Sequence, residues 1–345
     1  MNDYKNILII KMSSLGDIIH ALPAVGAIRA NWPNAKITWA VQSNFADLIP
    51  GKPVVDSIIK VDRKRLFSFK YLKELRQELH SNNFDVVIDL QCILKSSIIQ
   101  ILSGCSERYG YCDAKEGSQF LCKVLSGKNA NGNIIERYLD VVRELGGSTD
   151  NYEIPLFPLE KEEEYARDLL KESGVVGKYA VFALATRWEN KDWPPEYYAK
   201  LAEHIAKDGF TIVLTGVPSD QEKVDRMMAK VKNAKVVSLL GKTSIKQMFA
   251  VVKNADFFVG GDTGPMHFAS LAKVPLIALF GATYPNRSGA YGNPCGHNIV
   301  SPTAPKDQSN LSNNDSQVMQ GLKPELVINK YDEMKLRGEF NDKAR

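Results

Sequence analysis

Two short loops hold the residues best placed to do chemistry. Lys11-Met12-Ser13-Ser14-Leu15-Gly16-Asp17-Ile18 follows the apolar run Ile7-Leu8-Ile9-Ile10, and Gly260-Gly261-Asp262-Thr263-Gly264-Pro265-Met266-His267 follows Phe257-Phe258-Val259. Each carries a buried-type strand through glycine into a helix start, with an aspartate at the turn. Free backbone N–H groups and the helix dipole make such turns anion sites, for phosphates above all. Asp17 suits either of two roles: N-cap of a helix from Ile18, or a general base taking a proton from an attacking hydroxyl. Ser14 and Gly16 serve as turn residues or as substrate contacts. In the second loop Asp262 or Thr263 suits a cap and Pro265 a first turn. The same residues can hold a diphosphate through the N–H groups of Thr263 and Gly264 and the Thr263 hydroxyl. His267, one turn on, is a packed helical residue or a contact to a phosphate or sugar oxygen.

Three further groups fall at strand ends. Thr186-Arg187-Trp188-Glu189-Asn190-Lys191-Asp192-Trp193-Pro194 follows a strand at 179–183. There Lys191 is a surface cation or a group that neutralises charge on a leaving diphosphate, a role otherwise needing a metal. The two tryptophans read as structural. Glu222, after Gly216-Val217-Pro218-Ser219-Asp220-Gln221, is a first-turn acid favoured by the helix dipole or a ligand for ribose hydroxyls. Arg63-Lys64-Arg65, with Lys115, is a solvated basic patch or a seat for an anionic acceptor.

The elements that must position these groups alternate strand and helix. Strands are predicted at 7–10, 36–41, 57–61 and 84–90, with helices at 18–30, 70–80, 95–103 and 134–145. Residues 147–162, with Pro155 and Pro158, read as a linker, and the pattern then restarts. Strands at 179–183, 211–214, 255–259 and 275–280 interleave with helices at 196–207, 219–231, 245–252 and 265–272. The reading is α/β, two Rossmann-like domains with parallel sheets facing a cleft. Domain 1–160 would take the acceptor and 161–322 the phosphate-bearing donor. A last helix, about 323–336 within a tail at 323–345, is expected to pack back on the first domain. The polar stretch 301–320 reads as a long surface loop.

Bulk properties narrow the function classes. The 345 residues carry a formal net charge of +4 and are 44% hydrophobic and 24% charged, the balance of a globular protein with a real core. This charge is too mild for a nucleic-acid binder, but it suits an anionic substrate or a weak pull toward an acidic membrane surface. No apolar run reaches the roughly 20 residues a bilayer span needs, and the N-terminus lacks a secretory pattern, so a cytoplasmic protein is expected. The five cysteines form no Cys-x-x-Cys pair; free thiols are expected and a zinc site is not. A Walker A motif is absent, and no Gly-x-Gly-x-x-Gly follows the first strand, which disfavours kinases, P-loop ATPases and Rossmann dehydrogenases.

The stretch Ile7 to Ala24 resembles the opening of the ADP-heptose:lipopolysaccharide heptosyltransferases, the family-nine glycosyltransferases. Gly261 to His267, and Phe280-Gly281-Ala282-Thr283 with Gly289-Ala290-Tyr291-Gly292, resemble that family's second signature. The resemblance implies a GT-B fold and inverting, metal-independent transfer of a heptose from an ADP-sugar to a Kdo-lipid A type inner core. No cofactor is implied, the ADP-sugar being a substrate. On that pattern Asp17 matches the base, and Lys191, Thr263 and Gly264 match diphosphate binders. Thr186 matches one of a threonine pair whose other member is Ala185 here. Glu222 matches the ribose acid, Asp262 and His267 donor-site residues, and Arg63, Arg65 and Lys115 the basic acceptor contacts. Lys11 through His20, and Ile88-Asp89-Leu90-Gln91 with Lys95-Ser96, favour the first heptosyltransferase type over the second. The anionic, lipid-linked acceptor is compatible with peripheral contact at the inner membrane's cytoplasmic face. A carboxylate base beside an anionic donor is expected to have a raised pKa. A sugar-nucleotide epimerase and a nucleotide-sugar binding module without chemistry are the competing readings.

Overall fold

The structure is a computed structural model that describes residues 2–157, 159–305 and 317–340. The chain divides into two compact units, Met1–Pro158 and Leu159–Arg345; the sequence reading set the boundary at 160.

In the first unit the strands are β1 (Asn6–Ile10), β2 (Lys36–Gln42), β3 (Ser57–Val61), β4 (Val86–Asp89), β5 (Arg108–Tyr111) and β6 (Lys123–Leu125). The helices are α1 (Leu15–Asn31), α2 (Phe69–His80), α3 (Leu94–Leu102) and α4 (Ile134–Glu144). All strands run parallel in the order β3-β2-β1-β4-β5-β6. β1 is buried at Ile7, Leu8, Ile9 and Ile10, and β4 throughout, as a sheet covered on both faces by crossover helices requires. α1 packs on α4, and Gly26 lets the chain leaving the unit lie on it: a Cβ there would stand 2.1 Å from the Glu153 carbonyl oxygen.

The second unit opens with α5 (Glu160–Glu172), then β7 (Tyr179–Ala183), α6 (Pro195–Ile205), β8 (Thr211–Thr215), α7 (Gln221–Met228), β9 (Val236–Ser238), α8 (Ile245–Lys253) and β10 (Phe257–Gly261). It continues with α9 (Gly264–Leu271), β11 (Leu276–Phe280), α10 (Pro285–Ser288), β12 (Gly296–Val300) and α11 (Pro324–Leu336). The strands are again all parallel, in the order β12-β11-β10-β7-β8-β9. Both sheets therefore have the doubly wound order, reversing between β1 and β4 in one and between β7 and β10 in the other. Ligands bind such sheets in the crevice beyond the strands' carboxyl ends at the reversal.

The last helix packs within the second unit: Val327, Tyr331 and Met334 of α11 are buried in its core with Phe257, Leu201 and Ile205, and α11 packs on α6 and β11. Its three inward side chains match the apolar side of α6, which leaves that face already covered. Of the polar stretch 301–320, residues 306–316 lie outside the described residues.

Candidate functional site

At the first reversal point β1 runs into the loop that bears Asp17. Helix α1 begins at Leu15, earlier than expected, with Ser14 as its cap residue. Asp17 is therefore not the N-cap. It sits in the first turn and reaches back: its Oδ2 accepts from the Ser14 N–H at 2.9 Å and the Ser14 hydroxyl at 2.8 Å. The loop is held from β4's end, where Gln91 Oε1 accepts from the N–H groups of Met12 and Ser13, both at 3.1 Å. Asp89, fully buried, in turn accepts from the N–H groups of Gln91 and Cys92.

Beneath the loop lies Lys11, only 2% exposed. Its Nζ donates to the Leu90 carbonyl and the Tyr138 hydroxyl, each at 2.8 Å, the pairing a buried cation demands. Burial pushes the Asp17 carboxyl up, but the Lys11 charge and the two Ser14 hydrogen bonds outweigh it and hold Asp17 at about 2. The expected raised pKa is thus corrected: the sequence shows the carboxylate but not the cation folded under it.

At the second reversal point Asp262 is the hub. It follows β10 directly, its side chain is 9% exposed, and its two oxygens serve different partners. Oδ2 accepts from Lys191 Nζ at 2.7 Å and from the Thr283 hydroxyl at 3.0 Å, and Oδ1 lies 3.3 Å from His267 Nε2. Burial pushes the Asp262 carboxyl up, yet the His267 hydrogen bond and the charges of His267 and Lys191 take it far below the usual carboxylate range. Beside it Thr263 caps α9 and the helix opens with Gly264 and Pro265, whose ring nitrogen carries no hydrogen. The N–H groups of Thr263 and Gly264 therefore face outward without an intrahelical acceptor. Gly261 lets the β7 loop close in, since a Cβ there would stand 3.0 Å from Thr186 Cγ2 and 3.1 Å from the Lys191 carbonyl oxygen.

The β7 loop is braced from within. Asp192 accepts from the Thr186 N–H at 2.7 Å and pairs with Lys223 Nζ at 2.6 Å. The Thr186 hydroxyl donates to the Trp188 carbonyl at 2.8 Å. Trp193 is buried and donates to the Leu322 carbonyl, while Trp188 is half exposed. Asp192, Lys223, Tyr197 and the exposed Glu222 line a cavity of about 630 Å³.

The structure thus gathers Lys191, Asp262 and His267 into one network, with Thr263, Gly264 and Thr186 at its edge. Glu222 lines the neighbouring cavity. Ser14 and Asp17 are joined directly, with Gly16 between them in the turn. Arg63 and Arg65 lie in the turn after β3 and Lys115 in the turn after β5, all exposed. Arg65 leans on Tyr71 and stands 3.5 Å from Glu74, and the Lys115 N–H donates to the Cys92 carbonyl. Sequence reasoning gave no role to Lys11, Gln91, Thr283 or the Asp192–Lys223 pair. Only Lys11 leaves a signal: a lysine closing an otherwise apolar strand must find partners inside.

The model for glycosyltransferase family 9 (heptosyltransferase) matches residues 72–316. This chain belongs to that family. It is 32% identical to lipopolysaccharide heptosyltransferase 1 of Pseudomonas aeruginosa over 303 residues, covering 83% of this chain and 81% of the relative. The same-named protein of Escherichia coli K12 is 29% identical over 324 residues, covering 91% and 97%. Among solved structures, a family 9 glycosyl transferase from Veillonella parvula superposes with a TM-score of 0.86 at 22% identity, covering 98% of this chain and 99% of that one. E. coli heptosyltransferase WaaC with ADP-2-deoxy-2-fluoro heptose gives 0.69 at 25% identity, covering 95% and 99%. The family member described here is a glycosyltransferase of the two-Rossmann-unit GT-B type.

Proposed function

We propose that this glycosyltransferase moves a heptose from an ADP-heptose donor to the inner core of lipopolysaccharide, a Kdo-lipid A type acceptor, with inversion and without a metal. The observation that carries the reading is the Asp262 hub, which holds a lysine ammonium beside the open N-terminus of α9. That combination fits a diphosphate that carries two negative charges in the donor and gains a third as it leaves. The names of the relatives and the ADP-heptose analogue bound to a structural neighbour support the choice of donor.

In the proposed step the acceptor hydroxyl oxygen attacks the anomeric carbon as the bond to the β-phosphate oxygen breaks. The electron pair goes to ADP, and the proton goes to Asp17. Lys191 Nζ and the N–H groups of Thr263 and Gly264 take up the charge on the leaving group. Glu222 binds ribose hydroxyls, and Thr186 and His267 bound the donor seat. Arg63, Arg65 and Lys115 meet the acceptor's carboxylates and phosphates, and Ser14 and Gly16 line its hydroxyl. Asp17, ionised at all working pH values, is a weak base. It suits a late proton transfer, when bonding to the anomeric carbon has already acidified the hydroxyl.

The test is a screen of ADP-, UDP- and GDP-sugars for protection against thermal unfolding, followed by mass spectrometry of the acceptor. ADP-heptose is expected to raise Tm, by about 2.7 kcal/mol of stabilisation at a hundredfold excess over Kd, and to add one heptose to the acceptor. An isomerised donor without acceptor would favour the epimerase; protection by no nucleotide-sugar would overturn the proposal.

A further inference from the structure

The turn between β3 and α2 carries a feature that the sugar chemistry does not use. Phe67 is 77% exposed and Phe69 is 90% exposed, two residues apart on either side of Ser68. The helix that follows turns Tyr71, Leu75 and Leu79 inward, so Phe69 at its start is left outside. Around these rings the segment 62–73 carries Arg63, Lys64, Arg65, Lys70 and Lys73 against a single acid, Asp62. Arg65 meets Glu74; Arg63, Lys64, Lys70 and Lys73 are in no ion pair among the described residues. α2 packs on α3, whose first residue, Leu94, is a further exposed apolar side chain at 54%. The turn after β3 and the start of α3 after β4 both lie at the carboxyl edge of the first sheet, the edge that bears Asp17.

Solvent-facing phenylalanines ringed by lysine and arginine are poorly suited to water and well suited to a negatively charged lipid interface. There the rings enter the acyl boundary and the cations meet headgroup phosphates. We propose that Phe67 and Phe69 insert into an anionic bilayer while Lys64, Lys70 and Lys73 bind its headgroups, seating the first unit with its carboxyl edge toward the lipid. The excess of positive charge selects this occupant over a second copy of the chain, whose matching patch would repel it.

The full chain is floated with vesicles of phosphatidylcholine alone and of phosphatidylcholine with an equal part of phosphatidylglycerol, with no sugar acceptor present. The outcome is therefore independent of the transferase assignment. Binding is expected only to the anionic vesicles and should weaken steeply with salt. Phe67→Ser with Phe69→Ser should lower partitioning at least roughly tenfold, and Lys70→Gln with Lys73→Gln by roughly fivefold per cation. Both rings are exposed, so the serine variant keeps the parent's Tm. A Phe69→Trp reporter should shift its emission to the blue on anionic vesicles. The proposal is overturned by equal binding to both vesicle types, by no binding, by unchanged binding of the serine variant, or by light scattering that shows the patch pairing two copies.

Discussion

Lys11→Met removes the cation under Asp17 and keeps the length of the side chain. In the parent protein the Asp17 carboxyl stands at about 2 rather than its ordinary 3.8, a difference worth about 2–3 kcal/mol at 1.36 kcal/mol per pKa unit. A depressed carboxylate pKa stabilises the fold above the unfolded-state value, near pH ~4, and that contribution is lost as pH falls toward ~2. With Lys11 gone, burial is opposed only by the Ser14 hydrogen bonds and the His20 charge, so Asp17 should titrate above the parent's value, toward the ordinary carboxylate range. The parent's kcat/KM should stay flat down to about pH 3. The variant's should fall below about pH 5, by roughly tenfold per pH unit, while the acid dependence of its Tm flattens. Loss of the hydrogen bonds to the Leu90 carbonyl and Tyr138 hydroxyl should also cost about 1–3 kcal/mol at neutral pH. Transfer rates and Tm measured across this range check both effects. A variant with the predicted loss of stability but an unmoved acid limb would show that Lys11 does not set the charge on Asp17.

Asp262→Asn should weaken donor binding by roughly tenfold to a hundredfold, because Lys191, Thr283 and His267 lose their shared anchor; calorimetric titration with the ADP-sugar measures it. The same variant should remove part of the stability that the parent loses on acidification, since the Asp262 carboxyl is also held below its ordinary range, and acid titration of Tm reports this. Lys191→Met should lower kcat by about 10²–10³-fold, whereas EDTA leaves the parent's rate unchanged; a rate abolished by chelation and restored by a divalent cation would count against lysine as the charge-neutralising group.

The central strands were legible because they are buried on both faces. β1, β4, β7, β8, β10 and β11 read as near-continuous apolar runs, and their carboxyl ends marked where the sites lie. Of the edge elements only β3 was, read at its observed bounds. β12, with the sequence Gly-His-Asn-Ile-Val, is at best half buried, and β6 and β9 are three residues each, too short to show a period. β5 opens on an arginine and went unread for the same want of an apolar run. α5 turns only Ala166 and Leu170 fully inward along an acid-rich segment, so it went unread, its first residues falling at the end of the 147–162 linker. For the sites, types and spacing named Asp17, Lys191, Asp262 and His267. They could not show that Lys11 meets Tyr138 across 127 positions, or that Asp262 meets Lys191 across 71. Those contacts exist only once each sheet has assembled, and they are what set the charge states.

The most direct measurement pairs turnover with donor affinity in Asp17→Asn. If Asp17 takes the acceptor's proton while the second unit's residues hold the donor, turnover should fall by roughly 10²–10⁴-fold with the ADP-sugar Kd within about twofold of the parent's. Near-parental turnover, or a loss explained by donor affinity alone, would contradict the account.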